Sequence, residues 1–234
     1  MAKTAIINVR LLAASALMAS TEETRPYLRG VLLEITNAGV YYVATDGHRI
    51  IVSWRGPGDA QCRDWIKSEY LIIPTDECKR AKIKRGSAED ATLTLNDDGT
   101  VTIQHDITWT FKPIDGTYPD WRRVIPREQD KDELARAALF NPAYLMSYQT
   151  FADKLEFGKV ILNQRDGSSP MPVTFSGHEG GISKMSFGII MPMRGDTPRW
   201  FAPVWMNYNA PPEAEAPERD GMGNKIDGTG EEQF

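Results

Sequence analysis

Apolar and polar positions along this chain fall in one recurring order. A short alternating run comes first, then a run with helical spacing, then three more alternating runs, at about 60 residues per copy. The first copy predicts a strand over 3–8, a helix over 9–20 and strands near 28–36, 40–45 and 48–54. The second predicts a strand over 69–73, a helix over 75–85 and strands near 91–95, 100–105 and 108–114. The third predicts a strand over 134–140, a helix over 142–155 and strands near 158–163, 171–176 and 182–191. Turn residues separate the strands: Asn37-Ala38-Gly39, Asp46-Gly47, Asp97-Asp98-Gly99 and Asp166-Gly167. Aspartate–glycine pairs suit tight hairpins because glycine accepts positive φ without strain. Three strand–helix–three-strand units place the chain in the α+β class.

The third copy ends in a hook, Phe187-Gly188-Ile189-Ile190-Met191-Pro192-Met193-Arg194. A proline cannot donate to a sheet ladder, so the strand must stop or leave the edge there. Methionines flank the break, and their flexible, polarizable side chains suit a surface that accepts varied apolar groups. An adaptable apolar surface at a strand end fits peptide binding better than catalysis.

Polar stretches separate the copies: the Gly/Pro loop Arg55-Gly56-Pro57-Gly58-Asp59, and the charged run Pro126-Arg127-Glu128-Gln129-Asp130-Lys131-Asp132. Beyond Arg194 the chain turns aromatic (Trp200, Phe201, Trp205, Tyr208), then Pro/Glu/Gly-rich, and 210–234 is expected to be disordered. The net charge of −5 sits in that tail, where residues 210–234 carry seven acids and two bases. The body is therefore neutral overall, which leaves room for a local basic face.

One such face is predicted on helix 75–85, which carries Lys79, Arg80, Lys82, Lys84 and Arg85 but only Cys78, Ala81 and Ile83 as an apolar stripe. A solvated face is the ordinary reading of such a run; the alternative is sequence-independent contact with nucleic-acid phosphates. No aromatic is interleaved, so base stacking is not expected here. Cys62 and Cys78 form no CxxC pair and have no nearby histidine, so neither zinc nor a disulfide framework is expected, and a reducing, cytoplasmic setting is the default. The run Leu11 to Ser20, with Lys3 and Arg10 upstream, has a signal-peptide flavour, but a strand precedes it and a cap at Asn8 explains it as a buried helix. No apolar run is long enough to span a bilayer. No GxSxG, phosphate-binding glycine loop or metal-spaced cluster is present, and His48, His105 and His178 are isolated. An enzyme, a metal or a cofactor is not expected.

Three strings carry a family likeness. Val43-Ala44-Thr45-Asp46-Gly47-His48-Arg49-Ile50 resembles the Thr-Asp-Gly-His-Arg turn of bacterial replicative sliding clamps, the beta subunit of DNA polymerase III. Asp115 to Pro126, with its Tyr118-Pro119-Asp120-Trp121-Arg122-Arg123-Val124 core, resembles the segment joining that family's middle and last domains. Met191-Pro192-Met193-Arg194 resembles the end of the family's chain. Each string alone is modestly specific; three in order on fitting elements make a strong signal.

The resemblance implies the DNA-clamp fold, in which two strand–helix–strand units make a domain and six domains close a ring with helices lining the hole. On this alignment 1–126 is a complete middle-type domain, 127–194 is half of a last-type domain, and 195–234 is an extension. The family's first domain and the other half of its last one, which carry its subunit contacts, have no counterpart here. The resemblance further implies a cleft for short clamp-binding peptides of polymerases, loaders and repair proteins, of the type Gln-Leu-x-Leu-Phe. Leu28, Thr45, Gly47, His48, Arg49, Ile50, Pro119, Arg123 and Val124 would form it from the intact domain; Asn141, Tyr144, Met191, Pro192, Met193 and Arg194 would close it from the third copy. The family's remaining cleft valine falls near Ser168 to Val173, where gaps interrupt the resemblance. Apolar walls would come from Met191, Met193, Leu28, Val124 and Ile50, with rim donors from His48, Arg49, Arg123 and Arg194.

Two functions compete. One is a processivity factor that encircles double-stranded DNA as a homo-oligomer, with four three-unit chains matching the family's twelve units. The other is a clamp mimic that captures the same peptides without forming a ring. The aromatic segment Pro198 to Trp205 is expected to cover the sheet edge that the missing half-domain leaves bare rather than the cleft, since each ring buries roughly 150–250 Å² when an apolar surface is at hand.

Overall fold

The computed structural model describes residues 2–56, 69–80, 89–125, 138–163, 168–177 and 182–194, all within one compact unit. In chain order the elements are strand β1 (Lys3–Asn8), helix α1 (Val9–Ser15), strands β2 (Gly30–Thr36), β3 (Gly39–Thr45), β4 (Arg49–Arg55) and β5 (Glu69–Pro74), and the one-turn helix α2 (Thr75–Cys78). Strands β6 (Asp90–Leu95), β7 (Val101–Gln104) and β8 (Thr108–Phe111) follow, then helix α3 (Pro142–Lys154) and strands β9 (Val160–Leu162), β10 (Met171–Ser176) and β11 (Ile182–Ile190). Short 3-10 turns at Ala16–Met18, Pro26–Leu28 and Trp121–Val124 fill in between.

The first strand of each of the first two copies pairs with the other copy. Strand β1 runs antiparallel to β6, Lys3 opposite Leu95, and β5 runs antiparallel to β2, Gly30 opposite Pro74. A four-stranded sheet in the order β1-β6-β7-β8 results, facing a seven-stranded sheet in the order β5-β2-β3-β4-β11-β10-β9. The larger sheet draws strands from all three copies. Its third-copy strands join at a seam where β4 meets β11, Arg49 opposite Ile190 and Ser53 opposite Ser186. The hydroxyls of those two buried serines hydrogen-bond across the seam at 2.8 Å.

Strand alternation gives the larger sheet two apolar faces. Val31, Leu33, Ile35, Tyr42, Ile51 and Ile190 point inward and share one core with α1, α3 and the inner face of the smaller sheet. Leu32, Val43, Ile50, Val52, Ile72 and Ile189 point outward, and Trp121, Ile114 and Tyr118 from segment 113–124 cover them. An uncovered outer face of that composition would be an aggregation liability; the connecting segment removes it.

Helix α1 starts where expected, with Asn8 Oδ1 accepting from Leu11 N at 2.9 Å. The predicted helix 9–20 is shorter than its spacing implied: α1 ends at Ser15, tightens into the 3-10 turn 16–18, and is extended at Ala19. Such tightening satisfies terminal carbonyls with i→i+3 bonds. The strand expected near residue 28 begins at Gly30, because 26–28 closes a 3-10 turn with Leu28 N donating to Arg25 O at 2.9 Å. The Asp97-Asp98-Gly99 hairpin forms, closed by Asn96 N to Thr100 O at 2.9 Å. The helix predicted over 75–85 is instead a single turn that ends at Cys78, so Lys79 and Arg80 lie beyond its end rather than on its face; Lys82, Lys84 and Arg85 lie outside the described residues, as do Cys62, His178, Asp166-Gly167, residues 126–132 and 195–234. Of the predicted strand 134–140, Leu139 makes an isolated bridge to Met193.

Candidate functional site

The turn between β3 and β4 is built by its own side chains. Thr45 Oγ1 donates to Arg49 O at 2.7 Å and accepts from Gly47 N at 3.0 Å. Asp46 Oδ1 accepts from the amides of His48 (2.9 Å) and Arg49 (3.1 Å), and Oδ2 takes Arg49 Nε at 3.1 Å. This is an Asx turn extended by an ion pair. Gly47 sits at φ +93, a conformation that a Cβ would strain. His48 is thereby pushed outward, its side chain 60% exposed, while Arg49 folds back.

Helix α3 grips that turn from one face. Asn141 caps the helix through Oδ1 to Ala143 N at 2.9 Å, and Pro142 occupies the first turn. Tyr144 stacks on His48, ring centroids 6.0 Å apart and 25° between planes, and lies 4.9 Å beneath the Arg49 guanidinium. Ser147 Oγ accepts from the same guanidinium. The hook joins from the other side: Met191 N donates to His48 O at 2.9 Å, and Met193 N to Leu139 O at 2.7 Å. Pro192 between them donates nothing, and the ladder ends there as the sequence implied. Met191 and Met193 remain 40% and 54% exposed, available to an apolar guest.

The structure therefore brings Thr45, Gly47, His48, Arg49, Asn141, Tyr144, Met191, Pro192 and Met193 into one neighbourhood, with Arg194 exposed at its end. Leu28 and Ile50 are placed differently from the predicted open walls. Both are buried, and Ile50 belongs to the outer core against Trp121 and Ile189. The reason is period-two alternation: if Arg49 faces the turn, Ile50 must face the sheet's covered side. Pro119 lines a cavity of about 620 Å³ between segment 112–122 and strand β5, together with Tyr70 and Ile72. Val124 and Arg123 project from the turn after Trp121, Arg123 with 84% of its side chain exposed.

A second cavity, of about 720 Å³, opens between the turn and α2, lined by His48, Arg49 and Tyr144 together with Arg29, Asp76 and Lys79. Lys79, singled out for a DNA-facing helix, thus shares a cavity with residues singled out for a peptide cleft. Arg80 pairs with Glu77 at 3.3 Å. Cys78 is buried against Ile73 O, and burial pushes its thiol pKa up, so it is an inert core group.

Several residues that shape the site were not among the predicted site residues. Trp121 and Arg122 anchor the connecting segment on Glu34, which is buried in β2: Arg122 binds it through both nitrogens at 2.9 and 3.0 Å, and Trp121 Nε1 donates at 3.3 Å. An acid inside the apolar run Val31-Leu32-Leu33-Glu34-Ile35 was the available signal, since a buried carboxylate needs a partner. Asp46 carried the signal of its turn type. Ser147 and Tyr148 had no signal beyond helical spacing from Tyr144.

Residues 7–120 match the family model for the DNA polymerase III beta subunit, central domain. The Beta sliding clamp of Pseudomonas aeruginosa is 34% identical over 132 residues, which cover 52% of this chain and 32% of the relative. That of Escherichia coli is 26% identical over 184 residues, 73% of this chain and 49% of the relative. The chain thus spans at most about half the length of these curated relatives. Among solved structures, a DNA polymerase sliding clamp from Pseudomonas aeruginosa superimposes with a TM-score of 0.63 at 20% identity, covering 82% of this chain and 67% of that one. A sliding clamp of the same organism bound to griselimycin gives a TM-score of 0.63 at 19% identity, covering 82% and 65%. The fold is that of the sliding clamps.

Proposed function

We propose, from the match of residues 7–120 to the family model for the DNA polymerase III beta subunit, central domain, that the chain is a member of that family and works as a sliding-clamp-like processivity factor. It captures clamp-binding peptides of replication proteins at the turn–hook site and contacts double-stranded DNA without reading its sequence. The observation that carries this reading is the hydrogen bond from Met191 N to His48 O, which sets two exposed methionines beside the turn stacked on Tyr144. Flexible thioethers next to an aromatic–cation stack make an apolar guest surface with polar rim donors, the combination that orients a short peptide. A solved relative bound to griselimycin supports ligand capture by this fold.

In this reading 1–126 is one complete clamp domain and 127–194 a half-domain that completes the cleft. Thr45 to Arg49, Tyr144 and Met191 to Arg194 contact the peptide; Pro119, Arg123 and Val124 border it; Leu28, Ile50 and Asn141 support the walls from beneath. Lys79, Arg80, Lys82, Lys84 and Arg85 supply phosphate contacts. The chain acts by binding, in the cytoplasm, not by catalysis.

Titration calorimetry with a Gln-Leu-x-Leu-Phe peptide tests the site: saturable micromolar binding by the full chain is the expected result. Absence of binding overturns the reading. Neutralising the five basic residues together should weaken DNA association and flatten its salt dependence; an unchanged slope would mean that those charges are only solvated. The turn, α3 and hook all belong to one chain, so peptide capture does not need a ring. Solution mass with and without DNA separates a ring-forming factor from a mimic that stays a single chain.

A further inference from the structure

Tyr148 lies four positions beyond Tyr144, the α3 residue assigned to peptide contact, and reaches the same place from below. It is fully buried, and its hydroxyl stands 3.0 Å from Ile50 O and 2.8 Å from Ile189 O. Those two residues face each other across the seam between β4 and β11. A phenol has one proton, so the hydroxyl donates to either carbonyl in turn, and each carbonyl has a second lone pair to receive it. Burial pushes the Tyr148 pKa up, so the donor proton is retained throughout the neutral range.

The ring reaches the seam only because β11 carries a glycine there. A Cβ at Gly188 would overlap Cε1 of Tyr148, come within 2.9 Å of its Cζ and stand 3.1 Å from Ile50 O. Helix α3 thus meets the far strand of the turn with three consecutive grips. Tyr144 holds His48 and Arg49, Ser147 holds Arg49, and Tyr148 holds Ile50 together with Ile189. Positions 144, 147 and 148 lie on one helix face by i, i+3, i+4 spacing. The third grip is the one that also takes hold of the hook's own strand, two residues before Met191.

We infer that Tyr148 is a positioning residue of the peptide site: with Gly188 as its socket, it pins the turn strand to the hook strand and so fixes where Met191 and Met193 stand relative to His48. The inference rests on the peptide-binding reading for its consequence but not for its geometry. A one-residue slip at this seam would turn Ile189 inward and carry the hook past the turn, and Tyr148 opposes it by bonding both strands at matched positions.

Tyr148→Phe removes only the hydroxyl. In the full chain, two measurements are compared with the parent protein: hydrogen exchange of the Met191 amide, with the β1–β6 amides of Ile7 and Leu93 as internal controls, and calorimetric affinity for the Gln-Leu-x-Leu-Phe peptide. The expected result is exchange at Met191 faster by about five-fold or more with the controls unchanged, and peptide affinity weaker by a similar factor, the range that one lost hydrogen bond covers. Unchanged exchange, or faster exchange with unchanged affinity, overturns the inference. Should the parent bind no peptide, the peptide reading falls, while the exchange arm still decides whether Tyr148 pins the seam. Gly188→Ala alone is expected to unfold the seam. The pair Gly188→Ala with Tyr148→Leu should regain protection at the seam amides relative to Gly188→Ala alone, up to but not beyond the level of Tyr148→Phe, and failure to regain any would overturn the assignment of Gly188 as the socket of the tyrosine ring.

Discussion

Two connecting pieces of this chain border the candidate site and are held in opposite ways. Segment 113–124 is pinned by buried side chains: Trp121 is 7% exposed, Glu34 4%, and Arg122 stacks over Trp121 at 4.1 Å while binding Glu34 with two nitrogens. The hook 191–194 is held by two backbone hydrogen bonds and leaves Met191 and Met193 in solvent. One wall is fixed by chemistry that allows a single arrangement, since a buried carboxylate tolerates no loss of its partners. The other is fixed only in its backbone, and its side chains are free to repack around a guest. For the proposed capture of related but unequal peptides, that division would supply rigidity under the groove and adaptability on its surface.

The comparison breaks most readily at Trp121. Trp121→Ala should cost about 3–5 kcal/mol of stability in urea denaturation, because it removes a buried ring and one of the donors to Glu34. A loss under about 1 kcal/mol would mean that the segment is as loosely held as the hook. Arg122→Ala leaves the Glu34 carboxylate with the Trp121 indole as its side-chain hydrogen-bond donor among the described residues and should cost about 1–3 kcal/mol, a hydrogen-bonded charge losing its main partner. Arg122→Lys should recover less than half of that, since an ammonium cannot reproduce the two-nitrogen fork.

On the hook the expectation reverses. Met193→Ala should change stability by less than about 0.5 kcal/mol, as an exposed side chain does. It should weaken peptide binding by about 1–3 kcal/mol in calorimetry. A loss of stability without a loss of affinity would make Met193 a core residue and move the guest surface elsewhere.

The smallest effect lies between the two sheets, where Arg55 on β4 pairs with Asp90 on β6, one nitrogen at 2.6 Å and the other closer. The hydrogen bond from Arg55 holds the Asp90 carboxyl below its ordinary value of 3.8, against the opposing pull of burial. A lowered carboxylate pKa stabilises the folded state above the ordinary value, and that contribution disappears as pH falls through the folded one. Both partners are partly exposed, so the term is below about 1 kcal/mol. Asp90→Asn should be slightly less stable than the parent at pH 7, and the two should converge below about pH 4. Parallel stability curves down to pH 2 would show that the pair contributes nothing.

Much of the fold was legible because its signals are local. Asp–Gly turns, the cap at Asn8, the break at Pro192 and the repeat of strand, helix and three strands all depend on neighbours within a few positions. Boundaries were less so: the end of α1 at Ser15 depends on packing around an apolar run that has no stop signal of its own. In the site, the turn and the hook could be read because glycine, proline and methionine act through intrinsic conformation and chemistry. Leu28 and Ile50 were read as open walls because sequence cannot say which side of a strand is already covered.

What the sequence alone determined, then, is the inventory of units and the two irregular pieces, turn and hook, whose residue types constrain the backbone wherever they are placed. The tertiary structure decided which pieces meet. Nothing local foretells that β1 leaves its own copy for β6, or that β4 finds β11 across more than a hundred residues. Nor does it foretell that a tyrosine on α3 needs a glycine forty residues later in the chain. Pairings of that kind are selected by the shape and burial of the assembled core, a quantity that no single segment carries.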